Sequence, residues 1–311
     1  MSLAFVFPGQ GSQSVGMLSD LTSKFPQVHS TFSEASDALG YDLWALVLDG
    51  PVESLNETHR TQPAMLAAGI AVWRSWQSIS DIQPSFLAGH SLGEYTALVA
   101  AGALDFSDAI KLVEQRGQFM QQAVPAGEGA MAAILGLEDD AVRAICLEAS
   151  EKGVAEAVNF NSPGQVVIAG AAQAINVAID LAKEKGAKRA LLLPVSVPSH
   201  CALMQPAAEQ LAAALEKLTI QSPSIPVIHN VSVATASREA DIKQLLAQQL
   251  HNPVRWVETV QYLASQGVDT LVESGPGKVL AGLTKRIDKS IVGIPMFDQA
   301  SVEKVQQAVG E

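Results

Sequence analysis

Cysteine, aromatic residues and basic residues are all scarce in this 311-residue chain. The two cysteines, Cys146 and Cys201, lie far apart, so they predict neither a disulfide framework nor a zinc site and favour reduced thiols in a cytoplasm. Only 20 Lys and Arg residues stand against 32 Asp and Glu residues, which gives a net charge of −12. This balance argues against a nucleic-acid partner, because phosphate binding needs a basic surface.

Long apolar runs are also missing. The uncharged stretch at 64–73 is about half the length of a membrane span, which argues against a membrane segment. No positively charged segment precedes the apolar run at 3–7, and Pro8 and Gly9 end that run early, so a signal peptide is not predicted. We therefore expect a soluble cytoplasmic protein.

Apolar residues make up 48% of the chain, and charged residues only 17%, which predicts a large core rather than disorder. Short strand-like runs at 3–7 and 86–88 alternate with helix-like segments at 61–77 and 106–122, the first of them capped by Thr61. Strands that alternate with helices predict an α/β fold with a parallel sheet.

The middle of the chain follows another pattern. Residues 129–195 have the order β-α-β-β-α-β, with a four-residue turn at 161–164, which is typical of a ferredoxin-like subdomain. The α/β pattern then resumes. We therefore predict a large α/β catalytic domain formed by 1–124 and 197–311, with a small inserted subdomain at 125–196.

A candidate nucleophile lies between a strand and a helix. Residues 89–93 read GHSLG and fit G-x-S-x-G, in which two glycines allow a sharp turn that exposes the central serine. Ser91 is that serine. The next N–H, that of Leu92, lies at a helix N-terminus, where an anion is stabilised.

A serine needs a base, and His200 leads the six histidines by position. It follows a strand in 198–200, and loops at strand ends of α/β sheets line one crevice. From spacing alone a structural role for His200 stays open. No acid between Ser91 and His200 lies convincingly at a strand end, so we expect a dyad whose imidazole is oriented by a backbone carbonyl.

Six motifs in one order carry a family resemblance. The chain resembles the malonyl-CoA:acyl-carrier-protein transacylases of bacterial type II fatty acid synthesis, from about position 4 to about position 286. Little of this resemblance extends beyond Arg286. The motifs are FPGQGSQ at 7–13, GHSLGEY at 89–95, QRG at 115–117, NFNSPGQ at 159–165, PSH at 198–200 and GPGK at 275–278.

The resemblance implies a serine-hydrolase-like parallel-sheet domain with an inserted ferredoxin-like subdomain. It also implies transfer of malonyl from coenzyme A to the phosphopantetheine thiol of acyl carrier protein, through a malonyl-serine ester. The implied partners are acyl carrier protein and acyl-CoA, without nucleic acid or membrane and without a permanently bound cofactor or metal. The implied roles are nucleophile for Ser91, base for His200, oxyanion-hole amides for Gln10 and Leu92, carboxylate binding for Arg116, and a histidine-orienting main-chain carbonyl for Gln249.

Several alternatives stay open at this stage. A serine thioesterase or esterase of the α/β-hydrolase type would use the same nucleophile and base, and a scaffold with a vestigial pocket is a non-enzymatic alternative. Arg116, judged without the resemblance, would more often pair with Glu114 or another surface acid. Asn159 and Asn161 are candidate substrate-binding residues, although turn chemistry is the simpler role for both.

Overall fold

The computed structural model describes residues 2–195 and 197–310 and contains one parallel and one antiparallel sheet. Over those two ranges, no helix is long and apolar enough to cross a membrane. The strands there are β1 (Leu3–Phe7), β2 (Phe86–Gly89), β3 (Gly129–Leu135), β4 (Ala155–Ser162), β5 (Gln165–Ala171), β6 (Arg189–Leu192), β7 (Val227–Ile228), β8 (Thr270–Ser274) and β9 (Val292–Met296).

Helices connect these strands and cover the parallel sheet. In chain order they are α1 (Pro26–Leu39), α2 (Leu43–Asp49), α3 (Val52–Leu55), α4 (Thr58–Gln77), α5 (Gly93–Ala100), α6 (Phe106–Ala123), α7 (Asp139–Ala149), α8 (Ala172–Glu184), α9 (Gln205–Leu215), α10 (Glu239–Gln249), α11 (Trp256–Ser265), α12 (Val279–Ile287) and α13 (Gln299–Val309).

The parallel sheet has the strand order β7-β2-β1-β8-β9. Its central strand β1 is buried on both faces: Phe5 and Phe7 join one core, whereas Ala4 and Val6 join the other. Successive side chains of a strand point to opposite faces, so a strand covered on both sides must be apolar throughout. The carboxyl ends of β1 and β2 carry adjacent loops, because these strands are parallel neighbours.

The antiparallel sheet is formed within the middle of the chain, in the order β4-β5-β3-β6. Helices α7 and α8 pack together, and their apolar residues share a separate core with the sheet. The edge strand β4 is joined to the rest of the chain by Val254, whose N–H donates to Val158 O (2.8 Å) and whose carbonyl accepts from Phe160 N (3.0 Å). Strand β4 also lies beside the end of β2, because Asn161 Oδ1 of β4 is 2.8 Å from Nε2 of His90, the residue that follows β2.

Two local predictions were wrong. Helix α4 begins at Thr58 with Glu57 as its N-cap, so the predicted cap at Thr61 was wrong. Thr61 lies inside the helix, and its hydroxyl donates to Leu55 O at 2.6 Å. The turn predicted at 161–164 is shorter, since β4 continues to Ser162 and this residue pairs with Gln165 at the start of β5.

Candidate active site

Ser91 lies on a strained turn between β2 and α5. Its φ is +53°, a left-handed value that is uncommon for a residue with a side chain. The flanking glycines are required by contact: a Cβ on Gly89 would lie 1.9 Å from the carbonyl carbon of Gly93, and a Cβ on Gly93 would lie 2.0 Å from Phe7 O. The G-x-S-x-G pattern thus reflects a backbone packed too closely for any other residue at its two ends.

Asn230, which follows β7, holds this turn from the other side. Its Oδ1 accepts a hydrogen bond from Ser91 N at 2.8 Å, and its Nδ2 donates to Gly89 O at 2.7 Å. The residue is fully buried. Two hydrogen bonds across a strained turn stabilise the conformation that exposes the Ser91 hydroxyl.

The structure brings His200 to Ser91. Ser91 Oγ lies 2.8 Å from His200 Nε2, and His200 Nδ1 lies 2.7 Å from the main-chain oxygen of Gln249. A carbonyl only accepts, so Nδ1 carries the proton and Nε2 is left to accept the serine proton. The neighbouring Gln248 carbonyl instead accepts from Asn252 Nδ2 (2.8 Å). Over residues 2–195 and 197–310, no carboxylate bonds to His200, so the imidazole is oriented by a backbone carbonyl.

Burial and charge keep His200 neutral. Removal from water lowers the pKa of His200 to about 3, the charge of Arg116 acts in the same direction, and the Gln249 carbonyl opposes both. An imidazole that is unprotonated across the physiological range keeps the Nε2 lone pair free to accept the proton of Ser91.

Arg116 is buried against the same hydroxyl. Only 2% of the residue is exposed, and its Nη2 lies 3.4 Å from Ser91 Oγ and 3.0 Å from Gln249 Oε1. Its Nη1 donates to Gln62 Oε1 at 2.7 Å. Glu114, the surface acid considered above, lies instead 3.5 Å from Arg60. The alternative of a surface ion pair for Arg116 is therefore wrong.

Gln62 is a residue of the site that the sequence reasoning missed. It is 1% exposed and lies on α4 among buried apolar residues. The signal in the sequence is a single amide side chain within an apolar helical run, because a buried polar side chain needs a hydrogen-bond partner. Gln62 and Gln249 hold the guanidinium with two neutral oxygens, and among the described residues no acidic side chain bonds to Arg116 directly.

The oxyanion-hole candidates lie at the same cavity. Gln10, in the loop after β1, and Leu92, the N-cap of α5, both line it together with Ser91 and His200. Across the part of the chain that the structure describes, neither the Gln10 N–H nor the Leu92 N–H has a protein acceptor. Unpaired amides at a helix N-terminus and an adjacent loop are suited to bind a developing oxyanion.

The remaining walls come from the antiparallel sheet, from α6 and from the loops after β2 and β6. Asn159 lines the cavity, and its Oδ1 is buried without a hydrogen-bond partner. Asn161 contacts the wall residue His90 instead, with Oδ1 2.8 Å from His90 Nε2. Both asparagines belong to β4 rather than to a turn. Besides Leu92, the apolar residues that line it are Met120, Met131, Leu193, Val195 and Val197.

A serine paired with a carbonyl-oriented histidine beside a buried arginine is suited to transfer an acyl group that carries a carboxylate of its own. A family model described as an acyl transferase domain matches residues 4–308. The chain belongs to the acyl transferase domain family. The match extends past Arg286, so the predicted limit of the resemblance was too short, and the residues beyond it form β9 and α13.

Relatives in this family are similar over nearly their whole length. A malonyl CoA-acyl carrier protein transacylase of Haemophilus influenzae is 58% identical over 305 residues, with 98% of each chain covered. The crystal structure of an acyl carrier protein S-malonyltransferase from Vibrio cholerae has a TM-score of 0.96 at 60% identity and covers 98% of this chain and 100% of its own.

A further solved structure contains a carrier protein. It is the complex PlMCAT:AntF, a type II PKS acyl-carrier protein with its malonyl-transacylase, with a TM-score of 0.98 at 54% identity and coverage of 99% of this chain and 100% of that chain. Known members of this acyl transferase family share the mixed fold with one parallel and one antiparallel sheet. Within 2–195 and 197–310, no three His, Cys, Asp or Glu side chains come together as a metal site.

Proposed function

We propose that this acyl transferase moves a malonyl group from coenzyme A to the phosphopantetheine thiol of acyl carrier protein, in fatty acid biosynthesis. The observation that carries the proposal is the position of Arg116, buried and 3.4 Å from the hydroxyl that His200 contacts at 2.8 Å. In the described parts of the chain no acidic side chain bonds directly to this buried guanidinium, which favours an acyl group that brings its own carboxylate.

The reaction proceeds through an ester on Ser91. His200 Nε2 takes the hydroxyl proton while Oγ attacks the thioester carbonyl, and the oxyanion accepts from the amides of Gln10 and Leu92. The carbon–sulfur bond then breaks, and the imidazolium returns the proton to the leaving coenzyme A thiolate. The carrier-protein thiol enters, gives its proton to His200, and the same steps run in reverse.

Arg116 gives the reaction its acyl selectivity. Its planar guanidinium binds the malonyl carboxylate by two parallel charge-assisted hydrogen bonds, which a lysine does not reproduce. Asn159, with an unpartnered Oδ1 at the cavity, and Asn161, bonded to His90, stay predicted substrate-binding residues. No permanently bound cofactor or metal takes part in the proposed reaction.

The proposed domain organisation follows the two sheets. The order β4-β5-β3-β6 of the antiparallel sheet supports a ferredoxin-like subdomain at 125–196, inserted into a serine-hydrolase-like domain at 1–124 and 197–311. The cavity lies between them, with Met131 and Asn159 from one side and Ser91 from the other. The two cysteines are free and buried, in agreement with a cytoplasmic location.

Docking of an acidic carrier protein requires local positive charge on a chain whose net charge is −12. Exposed basic residues on the antiparallel sheet and near α12 are the candidates. They are Lys188, Arg189, Lys278, Lys285, Arg286 and Lys289. Their replacement is expected to weaken transfer to carrier protein and leave coenzyme A exchange unchanged.

Intact-protein mass spectrometry tests the proposed function against hydrolysis. A brief exposure to malonyl-CoA is expected to add one malonyl group, which digestion places on Ser91, and coenzyme A release is expected to stall after one burst until carrier protein is added. Continued release over many turnovers without carrier protein would identify a thioesterase instead. A protein that takes up no acyl group from several acyl-CoA thioesters would support the vestigial scaffold.

A further inference from the structure

Glu94 is a buried acid that the proposed mechanism leaves unused. It belongs to the first turn of α5, and its side chain is 1% exposed. Its carboxylate accepts hydrogen bonds from His229 Nδ1 at 2.8 Å, Asn230 N at 2.9 Å and Gln249 Nε2 at 2.8 Å. Burying an ionised carboxylate costs free energy unless hydrogen bonds or an opposite charge stabilise it.

His229 does not neutralise this carboxylate. Its Nε2 is buried and has no hydrogen-bond partner, so a protonated His229 would bury an N–H without an acceptor. The geometry therefore favours a neutral His229 whose Nδ1–H donates to Glu94. A neutral His229 does not cancel the negative charge of Glu94, which therefore acts on the other groups of the site.

The cation nearest along the hydrogen-bond network is Arg116, reached through one amide. Gln249 Nε2 donates to Glu94 at 2.8 Å, and Gln249 Oε1 accepts from Arg116 Nη2 at 3.0 Å. Gln249 Nε2 also donates to the main-chain oxygen of Ser91 at 3.0 Å. The carboxylate and this carbonyl only accept and the guanidinium only donates, so the three partners together fix which way the Gln249 amide faces. The same residue orients His200 through its main-chain oxygen, at 2.7 Å from Nδ1.

The charges change during the proposed reaction. When His200 takes the proton of Ser91, a second positive charge forms beside Arg116, and the two repel each other. A malonyl substrate brings a carboxylate that offsets this repulsion. A neutral acyl group such as acetyl brings none, which leaves Glu94 as the buried negative charge of the network.

We propose that Glu94 is a positioning residue that acts through Gln249: it holds the amide against Arg116 and supplies the negative charge that offsets the imidazolium formed on His200. This inference rests on the proposed function. It differs from a purely structural role, because it makes the cost of losing Glu94 depend on the charge of the acyl group.

The variant Glu94→Gln removes the charge and keeps the shape. Its amide oxygen can still accept from Gln249 and Asn230, and its NH2 group can donate to His229 in the other tautomer. That tautomer leaves the buried Nε2–H of His229 without an acceptor, a cost that is the same for both acyl groups and cancels in the ratio of acetyl to malonyl transfer. We expect acetyl transfer to fall on the order of tenfold more than malonyl transfer, which is the reverse of the expected effect of replacing Arg116.

The experiment compares transfer rates from acetyl-CoA and malonyl-CoA, each divided by the burst of malonyl-serine that counts active sites. The control is Glu273→Gln, because Glu273 is equally buried but bonds to Ala281 N (2.8 Å) at the start of α12. The control is expected to keep the wild-type ratio of acetyl to malonyl transfer. Equal losses with both substrates in Glu94→Gln, a larger loss with malonyl, or no change would overturn the inference.

A second pair of variants serves if Glu94→Gln does not fold. Glu94→Asp and Glu94→Asn are both one methylene shorter and differ only in charge, so the acetyl-to-malonyl ratio of the first is expected to exceed that of the second. Equal ratios would overturn the inference. Failure of the proposed function would show separately, as a wild-type protein that forms no malonyl-serine.

Discussion

Arg116 Nη2 lies 3.4 Å from Ser91 Oγ, so a buried cation and the proposed nucleophile face the same small volume. In a malonyl-serine ester the free carboxylate is separated from the ester carbonyl by one methylene, and it would be buried in that volume. Pairing with the guanidinium avoids the large cost of hiding a bare carboxylate from water. The distance therefore links the chemistry at Ser91 to the choice of acyl group.

Replacing Arg116 is expected to reduce malonyl transfer far more than acetyl transfer. Hydrogen bonds to a charged group contribute about 1.5–3 kcal/mol, so Arg116→Ala is expected to lower kcat/KM for malonyl-CoA by about 10- to 100-fold beyond any loss with acetyl-CoA. Arg116→Lys is expected to recover little, because it lacks the planar fork. Arg60→Ala, which removes the half-buried partner of Glu114, is the control. Equal losses with both substrates would exclude a carboxylate clamp.

A second prediction concerns the neutral oxygen at Gln62. Gln62→Glu would place a carboxylate where an amide oxygen now lies, 2.7 Å from Arg116 Nη1. The resulting ion pair competes with the substrate carboxylate, so KM for malonyl-CoA is expected to rise and the preference for malonyl over acetyl to fall. Gln62→Met removes the hydrogen bond without adding charge and is the matched control. A malonyl preference that falls as far in Gln62→Met as in Gln62→Glu would contradict the competition.

The sequence predicted the parts of this site that are local. Buried strands were predicted at 3–7 and 86–88, where the structure has Leu3–Phe7 and Phe86–Gly89. Ser91 was predicted as the residue between strand and helix, because apolar runs and glycines act on near neighbours. The network behind the serine could not be predicted in this way. Gln249 contacts Glu94 across 155 positions, and Arg116 contacts Gln62 across 54. Such pairs are set by how the helices pack, which no short pattern records.

The pH dependence of kcat/KM is expected to show the environment of His200. Only the neutral imidazole accepts the serine proton, so activity falls as the pH drops through the pKa of the free enzyme's base. Burial and the charge of Arg116 lower that pKa to about 3. We therefore expect malonyl transfer from coenzyme A to keep a flat profile well below pH 6.5, down to the point at which the protein unfolds.

The measurement is kcat/KM for malonyl-CoA between pH 4.5 and 8, with folding monitored at each pH by circular dichroism. Arg116→Ala removes the nearby positive charge, so its acidic limb is expected to lie at higher pH than that of the wild type. A wild-type limb centred near 6.5, in protein that stays folded, would show that His200 titrates like an exposed imidazole.

The tight turn at Ser91 leads to a prediction about how closely the backbone of α5 packs against β1. A Cβ on Gly93 would lie 2.0 Å from Phe7 O, an atom of the central strand that has no room to move. Gly93→Ala is therefore expected to lower the free energy of unfolding by about 3 kcal/mol or more and to abolish the burst of malonyl-serine. Gly282→Ala is the control, because a Cβ at this position of α12 meets no atom within 4 Å. In a helix interior that change is expected to stabilise by about 0.5–1 kcal/mol. Urea unfolding and burst titration of both variants check the contrast, and a Gly93→Ala protein with wild-type stability and a full burst would contradict the close packing of α5 against β1.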